Sequence, residues 1–175
     1  MRVPSLYQFF RHQLQHGFQA HGMKSAPPTL DYISDMLARF AQTRTAYALH
    51  ADDGRPLEHI VDMLVAFART QEQGRARAQE GAIVRHIGEY TLFMSGLFRE
   101  RVTARGELDY YMAQGRSAYW RSADYEINPA RRQLFRRLYE DFAPISDILD
   151  YLRRVQFPLR TEQATHDPLA AYWRA

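Results

Sequence analysis

Apolar residues along this chain recur at spacings of three and four from near its start to beyond residue 150, and strand-like alternation is scarce. That period marks amphipathic helices, so the expected fold is all-α, a compact bundle of about six or seven helices in a single helical domain over residues 1–175. A hydrophobic content of 46% is enough to fill a core, and 9 Gly with 8 Pro exclude collagen-like and linker-dominated chains. The absence of cysteine removes disulfides, thiolate ligands and thiol nucleophiles. The longest strongly apolar stretch, Tyr90 to Phe98, is far shorter than the roughly 20 residues a membrane-spanning helix needs. No membrane partner is expected. Met1 to Arg11 lacks the apolar region of a signal peptide, which makes the cytoplasm the expected location.

Leu6, Phe9, Phe10 and Leu14 start a first helix that should end near Gly17 or Gly22. After the Pro27-Pro28 break, Thr29 is the expected cap of a second helix carrying Leu30, Ile33, Leu37 and Phe40 inward. A turn at Asp52-Asp53-Gly54 precedes a third helix, with Pro56 in its first turn and Leu57, Ile60, Val61, Leu64, Phe67 and Ala68 as its stripe. The fourth, over about 80 to 100, is apolar on most sides and is expected to be the buried central helix. Gly81, Gly88 and Ser95 recur every seven residues along it, small enough to admit a neighbouring backbone. Gly106 separates it from a fifth helix holding Leu108, Tyr111, Met112, Gly115 and Tyr119 inward, with Gly115 justified by close packing. Asn128-Pro129 starts a last long seam, Phe135 to Leu152, in which Pro144 predicts a kink or two helices joined near Ala143. Residues 157–175, with Pro158, Pro168, Leu169, Tyr172 and Trp173, read as a frayed end or a short docking helix.

The charge balance, 23 basic against 20 acidic residues, does not demand a polyanionic partner. Lys24 is the only lysine, so nearly all positive charge is arginine, suited to bidentate contacts with carboxylates and phosphates. Arg75, Arg77 and Arg85, Arg131, Arg132, Arg136 and Arg137, and Arg153 and Arg154 form clusters that read mainly as solvated helix faces.

Glu89 is the polar residue that most needs an explanation, because Leu92, Phe93 and Gly96 surround it on the helical wheel. A carboxylate buried there must be paired, coordinated or protonated. One reading is an internal ion pair with Arg85 or with another helix. The other uses His86 and Glu89 as metal ligands, the spacing found in carboxylate-bridged bundles. His12 and His16, one turn apart and followed by His21, are further metal candidates, although exposed histidines explain them as well. His59 and Asp62 repeat the spacing but should face solvent. Asp109, Tyr110, Tyr111, Tyr119 and Trp120 offer either the wall of a pocket or core packing with phenolic tips at the surface. Phosphate loops, the GxGxxG fingerprint, the GxSxG elbow and a full calcium loop are all missing.

The run Gly88-Glu89-Tyr90-Thr91-Leu92-Phe93-Met94-Ser95-Gly96-Leu97-Phe98, then Asp109-Tyr110-Tyr111 and Gly115-Arg116-Ser117-Ala118-Tyr119, covers about a fifth of the chain. It resembles a group of small uncharacterised bacterial helical proteins with a "GD-x-x-LF-x-x-G-FF" segment followed by "DYY-x-x-x-G-x-x-AY". Glu89 stands where that pattern has Asp, and Leu97 where it has Phe. The resemblance implies a shared packing and polar unit between two adjacent helices, made of Gly88, Glu89, Gly96, Asp109, Tyr111, Gly115 and Tyr119. It implies no reaction.

The functional expectation is a binding or regulatory interaction protein, homo-oligomeric or joined to another protein, with no cofactor. The alternatives are a divalent-metal bundle enzyme using His86 and Glu89, with Asp109 or the N-terminal histidines as further ligands, and a nucleic-acid regulator using the Arg131 to Arg137 cluster.

Overall fold

A computed structural model describes residues 5–41 and 60–155, in which eight helices and no strand are present. Helix α1, Leu6–Ala20, opens with a reciprocal cap: the Gln8 backbone N–H donates to Ser5 Oγ at 3.2 Å, and the Ser5 N–H donates to Gln8 Oε1 at 3.1 Å. It runs through Gly17 and stops before Gly22, which takes φ of 63°. Helix α2, Pro27–Phe40, begins one turn earlier than the sequence implies. Ala26 is its N-cap, Pro27 sits in the first turn where a missing N–H costs nothing, and Thr29 is buried within the helix rather than capping it.

Helix α3, Ile60–Glu72, buries Ile60, Met63, Phe67 and Thr70. Val61 and Ala68, expected inside, are exposed, and Leu64 lies at the margin. The helix leans on α4 alone among the helices with which it shares substantial contact, so only a narrow stripe is covered. The Asp52-Asp53-Gly54 turn, Pro56, Leu57, His59 and the 157–175 tail lie outside the described residues.

Helix α4, Arg77–Leu97, is buried almost continuously from Ile83 to its end and packs on α3, α6 and α8. The wheel reading of a central helix is therefore correct. Its α6 partner, Leu108–Tyr125, comes close where α4 carries small residues: a Cβ placed on Gly81 would sit 3.0 Å from Tyr125 Cβ, and one on Gly88 would sit 3.1 Å from the Tyr119 ring. Gly115 of α6 answers from the other side, where a Cβ would collide with the Phe142 ring and Thr91 Oγ1. The helix-propensity loss of about 1 kcal/mol for a glycine is thus exchanged for interhelical contact.

One feature takes the helix count above the expected six or seven. Between α4 and α6 the chain forms a short α5, Arg99–Ala104, which ends at Gly106 with φ of 69°. Of the two outcomes expected from Pro144, the long seam takes the second: it is two helices, α7, Pro129–Glu140, and α8, Phe142–Val155. Asn128 caps α7 by accepting from the N–H groups of Ala130 and Arg131 at 2.9 and 3.2 Å. The break falls at Asp141, so Pro144 lies in the first turn of α8, where no earlier helical carbonyl requires its missing donor. All six seam residues from Phe135 to Leu152 are buried. Across α4 and α8, Ser146 Oγ donates to Ser95 Oγ at 3.1 Å, and Arg99 Nη2 donates to Ser146 Oγ at 2.9 Å.

Candidate functional site

Glu89 is 2% exposed in the middle of α4. Its carboxylate is held by α2: Arg39 Nη2 donates to Oε1 at 2.8 Å, Arg39 Nη1 to Oε2 at 3.2 Å, and Tyr32 Oη to Oε1 at 2.7 Å. This is a bidentate fork plus a phenol, the arrangement that satisfies a buried carboxylate most fully. Of the readings open from the sequence, the internal ion pair with another helix is the one the geometry realises. Arg85 is not the partner.

Arg39 carries the same contact toward the surface, where its Nε donates to Asp35 at 2.8 Å. Burial alone would lower the Arg39 pKa, but the hydrogen bonds and charge of Glu89, then of Asp35, raise it instead. The Tyr32 phenol is pushed well above its ordinary value, first by burial and then by the neighbouring Tyr119 and Glu89. Tyr119 is fully buried against Gly88 and stacks on Phe135 with ring centroids 6.1 Å apart. Burial first, and the Glu89 charge second, push its phenol well above the ordinary value. Its hydroxyl lies near Tyr32, yet no group takes or gives it a hydrogen bond of ordinary geometry among the described residues.

His86, one turn before Glu89, is also buried, between Phe40 and Tyr90 with ring centroids at 5.7 and 6.4 Å. Burial lowers its pKa to about 4, with Arg39 and Arg85 adding to the shift and the Glu89 charge opposing it. It is therefore a neutral imidazole at pH 7. Its Nε2 has no hydrogen-bond partner among the described residues.

The remaining candidates are scattered. Asp109 is exposed in the first turn of α6, which removes it from the shared polar unit, because a first-turn acid faces solvent and the helix dipole rather than the core. Tyr111 is buried but belongs with Tyr90, ring centroids 6.4 Å apart, not with Glu89. Gly96 packs against α8, 2.5 Å from a would-be Cβ to Leu149 Cβ, not against α6. Gly88, Glu89 and Tyr119 do meet at α4, whereas Gly115 packs on Thr91 and Phe142. His12 and His16 are exposed, their rings edge-on at 4.6 Å, while His21 Nδ1 pairs with Gly17 O at 2.9 Å and its ring faces Tyr151 of α8. Asp62 faces solvent as expected.

As ligands for a divalent metal, His86 and Glu89 have the required atoms but not an open geometry, since the Arg39 fork already takes both carboxylate oxygens. No group of three or more His, Asp or Glu side chains able to hold a metal ion occurs among the described residues. Sequence reasoning missed Tyr32 and Arg39. They stand seven apart on α2, two turns along one face, and that spacing of a phenol and a guanidinium was the available signal.

No protein-family model, curated protein or solved structure matches the chain.

Proposed function

We propose that this protein is an interaction module that works by protein contact, as a homo-oligomer, through the shared face of α6 and α7. The observation that carries this reading is a half-exposed aromatic pair overlaid by arginines. Trp120 is 43% exposed, Tyr139 lies 5.0 Å from it ring to ring, the Arg136 guanidinium sits 4.1 Å over the Trp120 ring and that of Arg116 sits 4.9 Å over Tyr139. Stacking holds both guanidinium groups in place before contact, and Trp, Tyr and Arg are the residues that dominate interface energetics. A second copy fits this face because it carries its own complement. Asp124 stands 3.6 Å from Arg136, a loose pair that can be exchanged across a two-fold axis.

The nucleic-acid reading draws less support from the same helix. Arg131 is engaged by Glu126 at 3.1 Å, Arg132 by the Glu126 carbonyl at 2.9 Å, and Arg136 by Trp120 and Asp124, so three of those four arginines already have local partners.

Native mass spectrometry of the untagged protein tests the proposal. A dimer mass is expected, reverting to the monomer in Trp120→Ala and in Arg136→Glu while the helical circular dichroism stays that of the wild type. A monomer mass for the wild type, or dimers that ignore both substitutions, would sink it.

A further inference from the structure

A different feature lies on the opposite flank of α6, where its C-terminal half meets the N-terminal half of α4. A cleft of about 220 Å³ opens there between Arg77, Gly81 and Arg85 of α4 and Ser122 and Tyr125 of α6, with Phe135 of α7 also in its wall. The volume is below the range of drug-sized pockets and corresponds to a small organic molecule.

The charges in this cleft are unevenly answered. Arg77 donates to the Asp124 carbonyl and sits 4.9 Å over the Tyr125 ring, contacts that place the guanidinium without neutralising it. The Tyr125 hydroxyl donates to Glu80 at 2.9 Å. The carboxylate of Glu126, which also lines the cleft, is matched by Arg131 at 3.1 Å. Arg85 is half-buried and makes no hydrogen bond or ion pair among the described residues. The carboxylate one turn along the same helix, Glu89, is saturated by Arg39 and Tyr32 and cannot serve it. His86 beside it is neutral at pH 7. A guanidinium taken partly out of water without an acceptor is unfavourable, and an anion arriving from solution relieves that deficit with charge-assisted hydrogen bonds. The rest of the wall is small or aromatic: Ala78, Gly81, Ala82 and the rings of Tyr125 and Phe135.

We propose that the cleft between α4 and α6 binds a small organic acid, a single anionic group on a flat apolar body, with Arg85 as the partner of the anion. This site is independent of the α6 and α7 contact face, and its test does not depend on the oligomeric state.

Ligand-observed NMR and titration calorimetry with benzoate, neutral benzamide and inorganic phosphate test it on the full chain. The expected result is saturable benzoate binding in the millimolar range or tighter, weakened roughly tenfold or more in Arg85→Gln, with benzamide failing to compete. Phosphate should bind more weakly than benzoate, because it cannot use the apolar wall. Ala82→Leu, which fills the cleft without touching a charge, should also weaken benzoate and stands in for Arg85→Gln if that variant does not fold. Absence of benzoate binding to the wild type, equal affinity for phosphate, or benzoate binding that survives either substitution in a folded protein would overturn the proposal.

Discussion

Glu89 and Arg85 stand one turn apart on α4, and their surroundings differ in one decisive respect. Glu89, nearly excluded from solvent, is surrounded by donors from α2, so its charge is consumed by the fold. Arg85, half-buried on the flank facing the C-terminal half of α6, has no hydrogen bond or ion pair among the described residues, and the carboxylate that shares its cleft, Glu126, is held by Arg131. Burial alone does not separate a structural charge from an available one. The separation comes from whether a second helix brings a partner of opposite sign to the same depth. That contrast orders the measurable consequences, because removing half of a satisfied pair strands the other half, whereas removing an unpartnered group strands nothing.

The largest effect is expected at the satisfied end. Arg39→Ala leaves the Glu89 carboxylate buried with Tyr32 alone and should lower unfolding stability by about 4 kcal/mol in urea denaturation. Glu89→Gln should lower it by less, about 2 kcal/mol, because the Arg39 side chain is 37% exposed and keeps Asp35. Equal losses would mean that the pair is not divided between core and surface in this way.

An intermediate effect is expected from His86. Its pKa in the fold, about 4, lies below the ordinary 6.5, so the unfolded chain binds the proton more readily. The stability contributed by the neutral ring is complete above pH 6.5 and is lost as pH falls from there toward 4, up to about 3 kcal/mol. Denaturation midpoints measured across that window, in the wild type and in His86→Phe, check this: the slope over the window should shrink in the variant. An unchanged slope assigns it to other groups.

The smallest effect is expected at the unpartnered end, where Arg85→Gln should shift stability by no more than about 0.5 kcal/mol. A loss as large as that of Glu89→Gln would show that Arg85 is a structural residue and would erase the contrast.

The helical elements were legible from the residues because their signals are local. Asn128 with Pro129 sits within one turn of the helix start it sets, and Gly22 and Gly106 mark helix ends by left-handed backbone. The buried character of α4 was also legible, since a helix apolar on most sides has nowhere else to go. Local reading failed where a neighbour decided the outcome. Thr29 looked like a cap until two prolines supplied the first turn, Val61 looked like core until α3 was found to lean mainly on α4 among the described helices, and Asp109 looked like part of the polar unit until α6 turned it to solvent. For the site, the spacing in α4 showed that Glu89 required a partner and that Gly88 left room for a neighbouring backbone; the structure supplies Arg39 for the first and, in place of a backbone, the Tyr119 ring for the second.

What the sequence by itself determined is the all-helical fold, most of its long helices, the central place of α4 and the need for compensation at Glu89, because helix periodicity and desolvation act over a few residues. Only the tertiary structure decided who compensates: Arg39 and Tyr32 lie 50 and 57 positions away along the chain. A hydrogen bond requires about 3 Å between its atoms, and a separation of that size is set by how helices dock, which no pattern along a single helix contains.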